Sequence, residues 1–194
     1  MIGPIRLTSA DYRRVPWKNG LGSTLELVRI PLPGDDDRFL ARVSIADVAQ
    51  DGPFSVFAGY DRWIAVIEGT GMALTVDEAD AVERRWMQPP LAFSGDAATA
   101  CRLLDGPIRD ANLMIDRANA RGEMTLLSDR QPQCAMTGDW LLAHCLTGEL
   151  RVRDGGGRTF SVRAGDSIVL PQGTTTVGTV GGSQGLCAAL RLRR

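Results

Sequence analysis

Apolar residues in this chain recur at every second position in short runs, and no stretch keeps helical spacing for long. Val43 and Ile45 alternate with Arg42, Ser44 and Ala46, and Phe160 and Val162 alternate within residues 159–163. Strands are predicted on this basis at 5–7, 25–30, 39–45, 63–67, 72–76, 100–104, 140–146, 150–153, 159–163, within 164–173, and at 174–180 and 186–192. Two pairs of runs read as hairpins. Trp63–Ile67 and Met72–Val76 flank Glu68-Gly69-Thr70-Gly71, and Trp140–Leu146 and Leu150–Arg153 flank Thr147-Gly148-Glu149. Asp51-Gly52-Pro53 and Asp105-Gly106-Pro107 repeat one turn signal. Asp35-Asp36-Asp37, after Pro31, Pro33 and Gly34, reads as an exposed loop. Residues 77–86 fit a helical turn or a polar strand pair, and 108–117 mix polar and apolar residues without a clean period. Many short strands with glycine turns predict an all-β barrel or sandwich. The echoing hairpins predict two related halves, residues 1–105 and 106–194.

At 194 residues, 44% of them hydrophobic, the chain is long enough for a proper core. A formal charge of −1 argues against nucleic acid or an anionic membrane surface as the main partner. No apolar run approaches spanning length, and the N-terminus lacks a signal-peptide core, so a soluble cytoplasmic protein is expected. Cys101, Cys134, Cys145 and Cys187 show no CxxC spacing and read as reduced, buried thiols. Of the 22 basic residues only Lys18 is not arginine. An ammonium is a compact charge of tunable pKa that a guanidinium does not imitate, which makes Lys18 a candidate functional group.

Gly165 to Gly173, G-D-x-x-x-x-P-x-G, resembles the second motif of cupin barrels. Ile67-x-Gly69 and Leu146-Thr147-Gly148 resemble the end of the first. Together they imply double-stranded β-helix barrels, a bicupin in a single chain. Cupin metals are usually held by an H-x-H pair, a carboxylate and a later histidine. Here Asp61-Arg62 precede the first hairpin, Thr176 stands where the later histidine would fall, and the sole histidine is His144. His144 shares a period-two strand with Trp140, Leu142 and Leu146 and reads as a satisfied core histidine. No metal or cofactor is expected.

Three longer stretches carry a more specific resemblance: W-K-N-G-L-G-S-T at Trp17 to Thr24, R-V-S-I-A at Arg42 to Ala46 running into D-G-P-F-S-x-F-x-G-x-D-R at Asp51 to Arg62, and G-P-I-R-D-x-N-L-M at Gly106 to Met114 with Arg117. In that order the chain resembles the HutD/Ves family of metal-free bicupins. It departs from the family pattern at Ala41, Ala58 and Ala111, changes that bear on pocket shape more than on its charged groups. The resemblance implies a link to histidine utilisation, with a small carboxylate of the urocanate or formylglutamate type as ligand and a regulatory role.

By their own chemistry, Lys18, Arg42 and Arg62 would supply positive charge. Asn19, Thr24, Ser44 and Ser55 would supply neutral donors, and Trp17 and Phe54 apolar walls. That set suits a small carboxylate. Asp61 is expected to orient an arginine. Arg109, Asp110, Asn112 and Arg117 either support the site from behind or tie the halves together. A non-catalytic binding protein is favoured over a metal-independent hydrolase or isomerase using Lys18 with Ser44 or Ser55, because no nucleophile–base pair and no G-x-S-x-G elbow is visible. A structural protein with a salt-bridged rim is a third reading. A homodimer is compatible with the sequence.

Overall fold

The computed structural model describes residues 3–17 and 22–193, and every helix or strand among them is a strand. In chain order these are β1 (Ile5–Leu7), β2 (Arg13–Pro16), β3 (Gly22–Leu32), β4 (Asp35–Val48) and β5 (Gly52–Phe54). Then come β6 (Tyr60–Glu68), β7 (Gly71–Val76), β8 (Val82–Arg85), β9 (Leu91–Ser94) and β10 (Thr99–Leu103). The last five are β11 (Ile108–Asp116), β12 (Ala120–Leu127), β13 (Gln133–Asp154), β14 (Thr159–Arg163) and β15 (Ser167–Leu192). The all-β expectation holds. Residues 77–86 resolve as a turn leading into β8, which pairs with β7.

The chain forms two compact units, Arg13–Asn119 and Ala120–Arg194 with Met1–Tyr12. The division expected at 105/106 is therefore displaced. β11 pairs with β4 on one side and β6 on the other, so it completes a sheet of the first unit. β1, although N-terminal, pairs with β15 and belongs to the second.

The first unit has a six-stranded sheet, β2-β3-β4-β11-β6-β9, and a four-stranded sheet, β5-β10-β7-β8. β4, β6 and β11 are buried on both faces: Val43, Ile45, Ala65, Leu113 and Ile115 on one, Val48, Ile64, Val66 and Ile108 on the other. A strand covered on both faces loses the alternation of a half-exposed one, which is why residues 108–117 carry no clean period. The second of these faces meets Met72, Leu74 and Cys101 of the smaller sheet in one core. Truncating a fully buried Ile64 or Leu74 to Ala would cost roughly 2–5 kcal/mol.

Neither expected hairpin forms. β6 pairs with β11 and β9, while β7 pairs with β10 and β8, so Gly69–Gly71 is a corner between two sheets. Gly69 sits at φ 88°, and a Cβ there would stand 2.6 Å from the Pro107 carbonyl oxygen, so only glycine fits. In the second unit, Thr147-Gly148-Glu149 lies inside the continuous strand β13, whose neighbours are β14 and β15. Asp35–Asp37, expected as loop, opens β4.

The second unit is a five-stranded sheet in which β13 and β15 pair along most of their length. Leu141, Ala143, Leu150, Val152, Val162, Ile168 and Val177 fill its core. His144 is buried, as expected, with Nδ1 2.9 Å from Ser167 Oγ; that hydroxyl is 2.8 Å from the Tyr12 hydroxyl. Cys101, Cys145 and Cys187 are buried and Cys134 partly so, all as free thiols.

Candidate functional site

One face of β3, β4, β11 and β6 is graded from apolar to polar. On β4 it presents Val48, Ala46, Ser44 and Arg42 in turn. On β11 the partners of these residues are Ile108, Asp110, Asn112 and Met114. On the far side of β11, Met114 is opposite Arg62 and Asn112 is opposite Ile64. On β3, Thr24 faces Ala46 and Glu26 faces Ser44. The apolar end packs into the core, and the polar end lines a cavity of about 600 Å3.

Seven of the nine residues singled out from sequence line this cavity: Trp17, Thr24, Arg42, Ser44, Phe54, Ser55 and Arg62. The other two, Lys18 and Asn19, lie outside the described residues. Trp17 Nε1 donates to Thr24 Oγ1 at 2.8 Å, which ties one aromatic wall to β3 and leaves the threonine hydroxyl proton free to donate. Asp61 is on the opposite face of β6 and accepts from Arg117 Nε at 2.6 Å, so it does orient an arginine. Arg117 also donates to Asp96, Ser94 and the Tyr60 carbonyl, all within the first unit. It ties loops together there. Arg109 bonds Asp47 and Glu68 and likewise lies off the cavity.

Arg62 is the centre of the site. It is only 4% exposed. Its Nη2 donates to Asn112 Oδ1 at 3.1 Å and its Nη1 to the Ser55 carbonyl at 3.2 Å. The guanidinium lies over Phe93, Phe57 and Phe54 at 4.9, 5.5 and 5.8 Å from their centroids. Such contacts favour a cation that has lost water, by roughly 0.5–2 kcal/mol each. Burial lowers its pKa to about 10, against the pull of Asp110, and it stays charged at neutral pH. Arg42 lies 5.2 Å from the centroids of both Phe39 and Phe57, and its pKa is lowered by burial and partly restored by Glu26.

Asp110, Asn112, Glu26, Phe57 and Met114 also line the cavity and were not assigned to it from sequence. The signal was the D-x-N spacing: two polar residues two apart on a strand share a face, here the face of Ile108 and Met114. Asn112 Nδ2 donates to Asp110 Oδ1 while its own Oδ1 takes Arg62, so it bridges acid and base. Asp110 is 1% exposed, and burial raises its pKa to about 7 despite Arg62 nearby. Among the described residues, four buried side-chain polar atoms make no hydrogen bond, and three of them, Arg42 Nε, Arg62 Nε and Asp110 Oδ2, belong to residues that line this cavity. Such atoms are rare in folded proteins and each calls for an explanation. No group of three His, Cys, Asp or Glu side chains among the described residues is placed to hold a metal ion. Nor, among the described residues, is any helix long and apolar enough to cross a membrane.

The HutD family model matches residues 9–188. The chain belongs to the HutD family. Among similar proteins, an uncharacterized 21.2 kDa protein in the hutC 3′ region of Pseudomonas putida is 47% identical over 110 residues, 56% of each chain. Protein Ves of Citrobacter koseri is 34% identical over 118 residues, 59% of this chain and 60% of its own. The chain thus matches somewhat over half the length of these two relatives. The solved structure of HutD from Pseudomonas fluorescens SBW25 is 32% identical and superposes with a TM-score of 0.82, covering 98% of this chain and all of that one. A cupin 2 conserved barrel domain protein from Leptotrichia buccalis, 13% identical, covers 86% of this chain and 87% of its own at a TM-score of 0.53, which identifies the fold as cupin-like.

Proposed function

We propose that this HutD-family protein binds a small carboxylate of the urocanate or formylglutamate type in the Arg42–Arg62 cavity, without a resident metal, and regulates histidine utilisation. One observation carries the reading: two guanidinium groups line one cavity, each with a buried Nε–H that no described residue accepts. Keeping cations there is costly; Glu26 and Asp110 offset part of that cost, and an anion drawn into the cavity would offset more. A carboxylate fits a guanidinium two oxygens to two N–H groups. Thr24 and Ser44 add hydroxyls, and Trp17, Phe54 and Phe57 give the walls a small planar or aliphatic body requires. The histidine link rests on the family and on the P. putida relative's place beside hutC. Binding is favoured over turnover, because the contact of Ser167 with His144 among the described residues is fully buried at the serine.

The test is thermal denaturation with urocanate and with formylglutamate. A ligand at a hundred times its Kd adds about 2.7 kcal/mol of stability, a shift of several degrees, and Arg62→Met should abolish it. Absence of a shift with either compound refutes the proposed ligand class. Consumption of ligand in stoichiometric excess would refute the non-catalytic role.

A further inference from the structure

The four cysteines divide into two kinds by what surrounds them. Cys101 is buried with its thiol 3.8 Å from Met72 Sδ, and burial raises its pKa to about 12. Cys145 is buried too, donates its S–H to the Thr147 carbonyl at 3.4 Å, and is raised by burial to about 11. Cys134 and Cys187 instead meet each other in the second unit. Cys187 lies on β15 between Thr125 of β12 and Ala143 of β13, and is fully buried. Cys134, near the start of β13, packs against the core that holds Cys187. Its neighbours Gln133 and Ala135 are exposed, and it keeps part of its own surface open. The Cys187 S–H donates to the Cys134 sulfur, which holds Cys134 below the ordinary thiol pKa; the same bond, with burial, pushes Cys187 well above it. One thiol is therefore reachable and inclined to ionise, while the other is shut away but beside it. Reactive cysteines have the first set of properties, and an adjacent thiol is what resolves their oxidised form.

We propose that Cys134 and Cys187 form an oxidant-responsive pair, in which Cys134 meets a hydroperoxide and Cys187 then closes a disulfide with it. In the first step the Cys134 thiolate attacks a peroxide oxygen. An S–O bond forms, the O–O bond breaks, and the departing hydroxide takes up the proton that Cys134 released. In the second step the Cys187 sulfur attacks the sulfenic sulfur of Cys134. The S–S bond forms, the S–O bond breaks, and the hydroxide leaves as water with the Cys187 proton. The two sulfurs lose two electrons between them, and hydrogen peroxide is reduced to two waters. The bond joins the start of β13 to the last part of β15 within the second unit. The proposal is independent of any ligand of the Arg42–Arg62 cavity.

Peptide mapping of the folded, reduced protein after treatment with hydrogen peroxide tests this. The peroxide is removed, the remaining thiols are alkylated in urea, and the chain is digested with chymotrypsin, which cuts after Trp140 and so separates Cys134 from Cys145. The expected product is a pair of peptides joined through Cys134 and Cys187, about 2 Da lighter than the two reduced peptides together. It should disappear on reduction, and Cys101 and Cys145 should be recovered alkylated. In Cys187→Ala, Cys134 should stop as a sulfenic acid that dimedone captures, and in Cys134→Ser, Cys187 should remain a thiol. Three wild-type results overturn the proposal. Cys134 recovered as a thiol means that it does not react. Cys134 recovered as a sulfinic acid means that Cys187 does not reach it. Cys134 bridged to a second molecule's Cys134 means that the partner is another chain. Each is read on the wild-type protein, so the proposal stands or falls even where a variant does not fold.

Discussion

The two units each bury a polar cluster, and the clusters differ in one respect. In the second unit Tyr12, Ser167 and His144 pass hydrogen bonds from one to the next at 2.8 and 2.9 Å. In the first unit the Asn112 amide bridges Arg62 and Asp110, Arg42 stands near them bonded to Met114 Sδ, and three buried polar atoms of Arg42, Arg62 and Asp110 keep no partner among the described residues; all four residues line the cavity of about 600 Å3. Identity of residues would mislead here. A serine against a histidine looks catalytic, and arginines against an aspartate look like a salt-bridged core. Hydrogen-bond accounting reverses that order: a network linked within the fold gives strength and register, whereas buried polar atoms without a partner, on residues that line a cavity, call for an explanation.

Removing Arg62 should break the contrast most sharply. Arg62→Met keeps an unbranched side chain against the phenylalanines but deletes the cation, and carboxylate affinity should fall at least a hundredfold, about 3 kcal/mol. Titration calorimetry at neutral pH reads this directly. Retention of affinity within threefold would move the anion site elsewhere.

The next effect in size comes from protons. Asp110 has a pKa of about 7 in the folded protein and about 3.9 when unfolded. Between those values the folded state holds a proton that the unfolded state has released. Stability contributed by this group is therefore greatest below about pH 4 and falls as pH rises towards 7. Asp47, Asp96 and Asp154 are shifted the other way and act in the opposite sense in acid, so the comparison must be wild type against Asp110→Asn. Urea unfolding should show the variant gaining on wild type by roughly 2–4 kcal/mol between pH 4.5 and pH 8. A pH-independent difference would mean Asp110 is an ordinary ionised carboxylate.

Breaking the linked cluster should do the reverse of breaking the open one. Ser167→Ala removes the hydroxyl that bonds His144 Nδ1 and the Tyr12 hydroxyl, and should cost about 1–3 kcal/mol of stability with ligand affinity unchanged. A variant that stays stable but loses binding would erase the distinction drawn between the units.

How much of this was legible in the sequence follows the same physics. Alternation exposed the faces of β4, so Arg42 and Ser44 were placed correctly on one side and Val43 and Ile45 on the other. The D-G-P-F-S-x-F stretch announced Phe54 and Ser55. Asp110 and Asn112 were noticed but not placed, because β11 is covered on both faces and its polar residues have no alternating background to stand against. Glu26 stands two residues after Thr24 on β3 and shares its face, and that spacing was the signal for it; the bulge of β3 begins only beyond Glu26. The hairpins failed because two apolar runs around a glycine turn read alike whether they pair or turn a corner into another sheet. What distinguishes Gly69 is the carbonyl oxygen of Pro107, contributed from far along the chain.

The smallest expected effect tests the wall of the cavity. Trp17 donates to Thr24 Oγ1 at 2.8 Å and packs against the core shared by Ile64 and Val66. Thr24→Val keeps shape and volume close to native and removes one hydroxyl, so the indole N–H loses its acceptor and the cavity loses a donor. Stability should fall by about 0.5–1.5 kcal/mol, and carboxylate affinity by no more than about tenfold, far less than for Arg62→Met. Trp17→Phe removes the same hydrogen bond from the other end while keeping the hydroxyl. If the two variants lose affinity equally, Thr24 acts only by holding the tryptophan in place. If Thr24→Val loses more, its hydroxyl itself reaches the ligand, and the donors of the site extend from β4 and β6 across to β3.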